Sequence, residues 1–163
     1  MSISVLYALA LLFLSTVYAE CPGSPSFVHA ACEMAIKFLE PCDTVRQEIL
    51  SRVNQQGITW IDPHNGTYTL VSETSNRLQL SRLTGDRKYT DVMVLALLDT
   101  PIGGCIVEAC SESQVFSIVD FSTNYCNLHC LYCSDYGCRP FNKLQYSENY
   151  ISCPQRMNTC LTV

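Results

Sequence analysis

The sequence lacks runs of basic residues, a calcium-binding loop and recognisable catalytic motifs. Its 10 Lys and Arg are outnumbered by 15 Asp and Glu, and the formal net charge is -5. An acidic chain without a basic cluster gains nothing from a phosphate backbone, which argues against nucleic acid as a partner. The same charge balance gives no attraction to an anionic membrane surface. The sequence therefore predicts a protein that works without nucleic acid, metal or cofactor.

Charge is also missing from residues 1–19, which are mostly apolar. Their longest apolar run is shorter than the roughly 20 residues that cross a bilayer. Val17-Tyr-Ala19 has the small or branched residues that signal peptidase requires, so we predict a signal peptide at 1–19, cleaved before Glu20. A retained anchor is the alternative, because no Lys or Arg precedes the apolar run. Residues 20–163 are expected to form a single secreted domain with no membrane contact after cleavage.

Eleven cysteines follow this leader, and in an oxidising compartment they predict disulfides. Because the number is odd, one sulfur must stay free, be modified or join another molecule as a disulfide-linked dimer. We choose Cys130 for this role, since it is crowded between Cys126 and Cys133. Cys32 and Cys42 are close enough in sequence to be linked, although Cys21 competes for either. The candidates for disulfides are Cys21, Cys32, Cys42, Cys105, Cys110, Cys126, Cys133, Cys138, Cys153 and Cys160.

Two stretches before Gly57 have helical periodicity. Apolar residues recur at helical spacing over residues 25–39, and Pro41 is expected to end this first helix. A second helix is predicted over residues 44–54, with Asp43 as its cap and with Val45, Ile49 and Val53 as its apolar face. Both helices are expected to cover one face of a sheet.

After Gly57 the apolar pattern changes to a period of two, which predicts strands. The run 92–98 is apolar on both faces and indicates a central strand. The fold class predicted is α+β: two short N-terminal helices packed on an antiparallel meander of five or six strands, followed by a disulfide-stapled C-terminal segment. The predicted strands are residues 58–61, 67–72, 78–82, 89–98, 105–110 and 114–121.

A turn at residues 62–66 contains an N-glycosylation sequence, Asn65-Gly-Thr67. Asn, Gly, Pro and Asp favour turn geometry, and an exposed turn of a secreted chain is accessible to glycosylation. We therefore predict Asn65 as a glycosylation site.

Three strings resemble a group of small secreted cysteine-rich proteins of aquatic invertebrates, molluscs among them. They are Asp62-Pro-His-Asn-Gly-Thr-Tyr-Thr-Leu70, Ser81-Arg-Leu-Thr-Gly-Asp-Arg-Lys-Tyr-Thr-Asp91 and Cys105-Ile-Val-Glu-Ala-Cys-Ser-Glu-Ser-Gln-Val-Phe-Ser-Ile-Val-Asp-Phe-Ser-Thr-Asn-Tyr-Cys126. The resemblance implies secretion and an extracellular-matrix or mantle context, and it carries over no catalytic residue. A helix followed by a meander is also similar to cystatins in topology, although Gln55-Gln-Gly-Ile-Thr59 does not match their Gln-x-Val-x-Gly wedge.

Several cysteines and one histidine are candidates for a metal or catalytic site, but each has a simpler interpretation. The spacing Cys126-x3-Cys130-x2-Cys133-x4-Cys138 resembles a zinc site, but oxidised sulfurs pair with one another first. Cys130-Leu-Tyr-Cys133 has redox-motif spacing, yet a thiolate at a helix N-terminus is not indicated. His129 is a candidate general base for a thiol. We favour the interpretation that it is a histidine on the surface or packed in the core.

One set of carboxylates and one set of tyrosines are further candidates for a site. Strand residues Glu108 and Asp120, with Glu112, are candidates for an acid/base pair, but solvated charges are the simpler interpretation. Tyrosines concentrate near the C-terminus, where they suit recognition of a protein or sugar or fill space around disulfides. These are Tyr125, Tyr132, Tyr136, Tyr146 and Tyr150.

The function predicted is that of a secreted, non-enzymatic domain that binds an extracellular protein or polysaccharide, in a matrix or in mantle and shell secretion. A secreted carrier of a small apolar ligand is one alternative, with a cavity lined by residues such as Leu70, Leu80, Met93 and Phe116. A protease inhibitor is another, with a projecting loop at residues 62–66 or 99–104.

Overall fold

In the computed structural model, residues 20–134, 138–156 and 160 are described, and the predicted signal peptide and Tyr136 lie outside them. The elements follow the order β1 (Ala31–Phe38), α1 (Cys42–Asn54), β2 (Thr67–Glu73), β3 (Arg77–Leu83), β4 (Thr90–Asp99), β5 (Cys105–Ser113), α2 (Thr123–His129) and β6 (Tyr146–Ser152). The α+β class is confirmed. The prediction of two N-terminal helices is wrong, because α2 lies between the last two strands.

The six strands form one antiparallel sheet in the order β2-β3-β4-β5-β1-β6. Consecutive strands β2 to β5 form a meander of four strands, where five or six were predicted, and β1 lies beside β5 with β6 on its other edge. The inner strand β4 buries residues on both faces, Met93 and Leu95 on one and Val94 and Ala96 on the other. That confirms the interpretation of its apolar run.

The core lies between one face of the sheet and the two helices. Helix α1 contributes Val45, Ile49 and Val53, as its predicted apolar face requires, and α2 contributes Leu128. Asp43 lies in the first turn of α1, whose N-cap is Pro41. Among the described residues, no helix is both long and apolar enough to span a bilayer.

The predicted first helix is instead strand β1. Its buried side chains alternate at Cys32, Met34, Ile36 and Phe38, and both of its edges are hydrogen-bonded, to β5 and to β6. The stretch has good helix formers, but pairing on two edges outweighs a helix propensity of a few tenths of a kcal/mol per residue.

Two predicted strands are absent from the described residues, and one strand was not predicted. Residues 58–61 form turns with a single bridge between Gln56 and Trp60. Strand β5 runs on through Ser113, past its predicted end at residue 110, and residues 114–121 form a loop instead of a strand. Strand β6 was missed because its face toward the core carries Tyr and Glu instead of aliphatic residues.

Five disulfides cross-link the described residues, and four of them join residues at least 34 positions apart. The suggested Cys32–Cys42 link is not formed, because Cys32 pairs with Cys153, just past β6, and Cys42 pairs with Cys105 at the start of β5. Cys130 carries a buried free thiol. A framework of this kind suggests an oxidising environment. The pairs are Cys21–Cys110, Cys32–Cys153, Cys42–Cys105, Cys126–Cys160 and Cys133–Cys138.

Candidate binding cavity

The core-facing side of the sheet becomes polar at one end. In β3 the buried positions run Leu78, Leu80, Arg82, and in β4 they run Asp91, Met93. Arg82 and Asp91 lie directly opposite each other in the strand register. Both are nearly fully buried, and burying a charge is costly unless it is paired.

Arg82 is paired with Asp62, from the turn before β2. Its Nη2 lies 2.6 Å from Asp62 Oδ2, which also accepts a hydrogen bond of 2.7 Å from the backbone N–H of Gly66. The Tyr68 ring lies 5.6 Å from the guanidinium carbon. A Cβ at Gly66 would lie 2.3 Å from the guanidinium, so glycine lets the turn close over Arg82. The turn 62–66 is thus pinned to the sheet.

Asp91 is held by α2. Its Oδ2 accepts a hydrogen bond of 2.8 Å from the Asn127 side-chain amide, which also donates to Ser111 Oγ at 3.2 Å. Asn124 extends this network, and its amide donates to Asp120 Oδ2 at 2.8 Å. Burial raises the pKa of Asp91 against the opposing effect of these hydrogen bonds.

A cavity of about 460 Å³ opens over this polar end of the sheet. We call it the Asp62 cavity. Three residues of its wall have a buried side-chain atom with no hydrogen-bond partner among the described residues: Asp62 Oδ1, Arg82 Nε and Asn127 Oδ1. An unpaired buried polar atom costs about 1–3 kcal/mol, which a polar group that reaches it from the cavity would offset. The cavity is lined by Asp62, His64, Asn65, Arg82, Thr84, Gly85, Asp86, Tyr89, Phe121, Thr123, Cys126 and Asn127.

A second depression of about 430 Å³ adjoins the first and is mostly apolar. We call it the apolar groove. Its wall is the loop 115–121, where Phe116, Ile118 and Phe121 expose 68%, 68% and 84% of their surface. The two depressions share four wall residues, so they form one continuous concave surface. The shared residues are Thr84, Tyr89, Phe121 and Thr123.

The loops around the Asp62 cavity contain unusual backbone. Among the described residues, four that are not glycine have positive φ: Asn65, Arg87, Phe121 and Ser122. Asn65 and Phe121 line the cavity, and the other two lie in the loops that border it. Left-handed backbone at such residues costs of order 1–3 kcal/mol and is concentrated at functional sites.

The zinc site and the redox pair that the cysteine spacing resembles are not assembled. Cys126 and Cys133 are both in disulfides, so the four thiolates of a zinc site and the Cys130–Cys133 redox pair are not formed. Burial raises the pKa of the Cys130 thiol to about 12. A disulfide-linked dimer through Cys130 would therefore need the core around it to open.

The predicted acid/base pair is not formed either. Glu108 follows core-facing Val107 and points to the opposite side of the sheet, whereas Asp120 caps α2 on the core side. Glu112 accepts a hydrogen bond from the backbone of Gly23 and lies 3.1 Å from His29. These three carboxylates therefore share no site.

The C-terminal tyrosines gather around one carboxylate. Glu148 Oε1 accepts a hydrogen bond of 2.6 Å from Tyr132 and lies 2.7 Å from His129 Nδ1, while Tyr125 and Tyr150 bond to Oε2. Burial opposes ionisation, but these hydrogen bonds outweigh it and lower the pKa of Glu148 to about 2. The cluster fastens β6 to α2, and His129 is part of it instead of serving a thiol.

We expect replacement of Glu148 by Gln to destabilise the protein in a pH-dependent way. The lowered pKa of Glu148 contributes stability that is complete above its ordinary value of 4.5 and is lost as pH falls toward about 2. Allowing for partial exposure, the loss at pH 7 should be about 2 kcal/mol. Urea unfolding of both proteins at pH 7 and near pH 2.5 measures it. A difference that does not shrink at the lower pH would contradict this role.

The two loops suggested for protease inhibition differ. Asp62 pins the first to the sheet, whereas the loop 99–104 projects with Ile102 95% exposed. Thr100 braces this loop by three hydrogen bonds to Gly103 and Gly104, and the Cys42–Cys105 disulfide lies at its base. This second loop has the rigidity that the inhibitor hypothesis needs.

The residues suggested for a carrier cavity are divided between two places. Leu80 and Met93 are fully buried in the core, and Leu70 packs against them. Phe116 lies in the exposed wall of the apolar groove. These four side chains therefore do not line one cavity.

Sequence reasoning missed the residues that build the Asp62 cavity. Asp62 was interpreted as a turn residue, and Arg82 as an ordinary strand residue. One signal was available, because Arg82 and Asp91 occupy the same alternating positions as the apolar residues of β3 and β4. The contribution of Asn127 had no such signal, since α2 was not predicted.

Comparison with known proteins adds no relative. No family model matches the chain, and neither a curated protein nor a solved structure matches it.

Proposed function

We propose that this is a secreted, non-enzymatic domain of an extracellular matrix or secretion, such as that of a mantle or shell, that binds neutral polysaccharide in the Asp62 cavity. The observation that carries the proposal is the set of three unpartnered polar atoms in the cavity wall. Secretion is supported by the disulfides and by the leader sequence. It is checked by recovering the protein from the medium with Glu20 as its first residue.

Sugar hydroxyls match the hydrogen-bonding needs of this wall. Asp62 Oδ1 and Asn127 Oδ1 need donors, whereas Arg82 Nε needs an acceptor. A hydroxyl group both donates and accepts, so neighbouring hydroxyls of one sugar ring can serve all three atoms. Tyr89 and Phe121 at the mouth are exposed aromatic rings against which the apolar face of a sugar can pack.

The charge of the site favours neutral over anionic glycans. The walls of the two depressions contain four carboxylates and a single guanidinium, which is already paired with Asp62. A sulfate or uronate group would meet repulsion from this excess of negative charge. The formal charge of the whole chain has the same sign.

We expect Asp62→Asn to weaken binding to neutral polysaccharide at least tenfold. Gly66 and Arg82 both donate to Oδ2, so an asparagine oxygen should take that position and its amide group should replace Oδ1. The wall would then offer a donor where it offered an acceptor, and a lost hydrogen bond to a charged group costs about 1.5–3 kcal/mol. Retention on β-glucan, chitin and sulfated-polysaccharide columns, with calorimetry on soluble oligosaccharides, measures the change. Because Asp62 also neutralises buried Arg82, thermal unfolding and the amide NMR spectrum of the variant are compared with those of the wild type, so that a loss of folding is distinguished from a loss of binding.

The matched control is Asp86→Asn. Asp86 lines the same cavity, but it is exposed, and Thr84 and Lys88 already occupy its oxygens. Its replacement should change binding less than twofold. Failure of the wild-type protein to bind any neutral polysaccharide, or equal effects of the two variants, would refute the proposed function.

A further inference from the structure

We propose that the ligand is an amphipathic glycoconjugate, with its sugar in the Asp62 cavity and a hydrocarbon or aryl group in the apolar groove. This inference rests on the proposed function and extends it to the chemical class of the ligand. The continuity of the two depressions through four shared wall residues is its first support.

The apolar groove is a formed surface, because its loop is tied down on both sides. The backbone N–H of Ala30 donates to Ser117 Oγ at 2.9 Å, and Ser117 N–H donates to the Val28 carbonyl at 3.2 Å. Gln155 binds the loop from the other side, donating to the Ile118 carbonyl at 2.7 Å and accepting from Asp120 N–H at 2.9 Å. Hydrogen bonds thus hold the backbone while the apolar side chains point outward.

Exposure of this amount of apolar surface in one short loop needs an explanation. Five apolar residues of this loop are exposed, and all of them line the groove: Val115, Phe116, Ile118, Val119 and Phe121. Contiguous apolar surface of this kind marks a binding site on a soluble protein. Each depression falls in the range of roughly 300–1,000 Å³ that is usual for small-molecule sites.

An occupant with a single chemical character would leave half of this surface unused. A hydrocarbon alone, or a protein pressed onto the groove, would leave Asp62 Oδ1, Arg82 Nε and Asn127 Oδ1 without partners. A free sugar would leave the groove in water. A sugar joined to an apolar group serves both, and the shared wall residues Tyr89 and Phe121 lie where the two parts would meet.

Methyl, butyl and octyl β-glucosides test this inference, with galactosides and N-acetylglucosaminides in parallel and all below their micelle concentrations. A fully buried methylene is worth about 0.8 kcal/mol, or roughly fourfold in affinity. Since the groove is open on one side, the octyl glycoside should bind at least about thirtyfold more tightly than the methyl glycoside of the same sugar. Calorimetry or NMR titration gives the dissociation constants.

Three variants separate the two halves of the site. Phe116→Ser should remove most of the gain from the octyl chain, about fivefold or more, and leave the methyl glycoside unchanged. Ile102→Ser, which removes an even more exposed apolar side chain from a different loop, should change neither. Asp62→Asn should weaken all the glycosides alike.

The outcomes distinguish this inference from the proposed function. If methyl and octyl glycosides bind equally, the apolar groove is no part of the site and this inference is overturned, while polysaccharide binding stands. If octanol binds as tightly as octyl glycoside, the sugar contributes nothing to binding and this inference is overturned in favour of an apolar carrier. If no glycoside and no polysaccharide binds, the proposed function fails and takes this inference with it.

Discussion

Replacement of Arg52 by Met is expected to lower the free energy of unfolding by about 3–5 kcal/mol. Arg52 is fully buried and pairs with Glu48 one turn earlier in α1, at 2.7 Å. It also donates to the carbonyls of Cys130 and Cys133, each at 2.8 Å. Removal of one partner leaves a buried carboxylate uncompensated and two carbonyls unpaired, which is the costly way to break an ion pair.

The ion pair has this large effect because it joins three parts of the chain. Glu48 accepts hydrogen bonds from the backbone of Phe141 and Asn142 as well as from Arg52. Helix α1 is thereby bound to the end of α2 on one side and to the segment before β6 on the other. The loss should therefore appear as global destabilisation in guanidinium unfolding.

The control is Arg46→Met in the same helix. Arg46 pairs with Glu73, and both side chains are partly exposed to solvent. A pair of this kind contributes about 1 kcal/mol or less. Equal losses for the two arginine variants would contradict the role assigned to the Arg52–Glu48 pair.

Removal of the Cys32–Cys153 disulfide by alanine substitution is expected to cost about 4 kcal/mol. The bridge spans 121 residues, but the other disulfides shorten the route through the chain, which reduces the value that the chain-entropy model gives for the whole loop. The bridge also fastens the end of β6 to β1, and β6 is an edge strand with this single strand neighbour. Loss of the bridge should therefore increase amide hydrogen exchange in β6 first.

The matched control is the Cys133–Cys138 disulfide. It spans only 5 residues, so its removal should cost about 2 kcal/mol in the same model. Thermal and guanidinium unfolding of both double-alanine variants measures the difference. Similar losses for the two, with β6 exchange unchanged, would contradict the role of Cys32–Cys153 as a long-range clamp.

The strands of the meander could be predicted because their own residues determine them. In β3 and β4 the side chains alternate or are continuously apolar, and a turn-forming sequence lies between the two strands. The apolar face of α1 was equally visible, at Val45, Ile49 and Val53. In these elements local periodicity and tertiary burial agree.

Prediction failed where tertiary contacts decide the structure. Strand β1 contains apolar residues that fit either period, and only its position between β5 and β6 selects the extended form. The loop 114–121 has the alternation of a strand, but its apolar side chains are exposed at the groove. Alternation along the sequence therefore does not distinguish a strand with one buried face from a loop whose apolar side chains stay exposed.

The Asp62 cavity could not be predicted, because it forms from parts that are distant in sequence. Asp62 lies in a turn, Arg82 in β3 and Asn127 in α2, and the sheet order brings them together. The spacing of these residues along the chain does not show that they lie close together in the fold. The charged residues at core-facing positions of β3 and β4 are the trace of it that a sequence can show.

Side-chain NMR of Arg82 and Asn127 during titration with a neutral oligosaccharide tests the central claim most directly. Arg82 Nε and Asn127 Oδ1 have no partner among the described residues, so a sugar that binds in the Asp62 cavity must change their environments. The account predicts saturable shifts of the Arg82 Nε–H and Asn127 side-chain amide signals, which are lost in Asp62→Asn. Saturable binding that leaves both signals unmoved, or that shifts only the Ile102 loop, would contradict it.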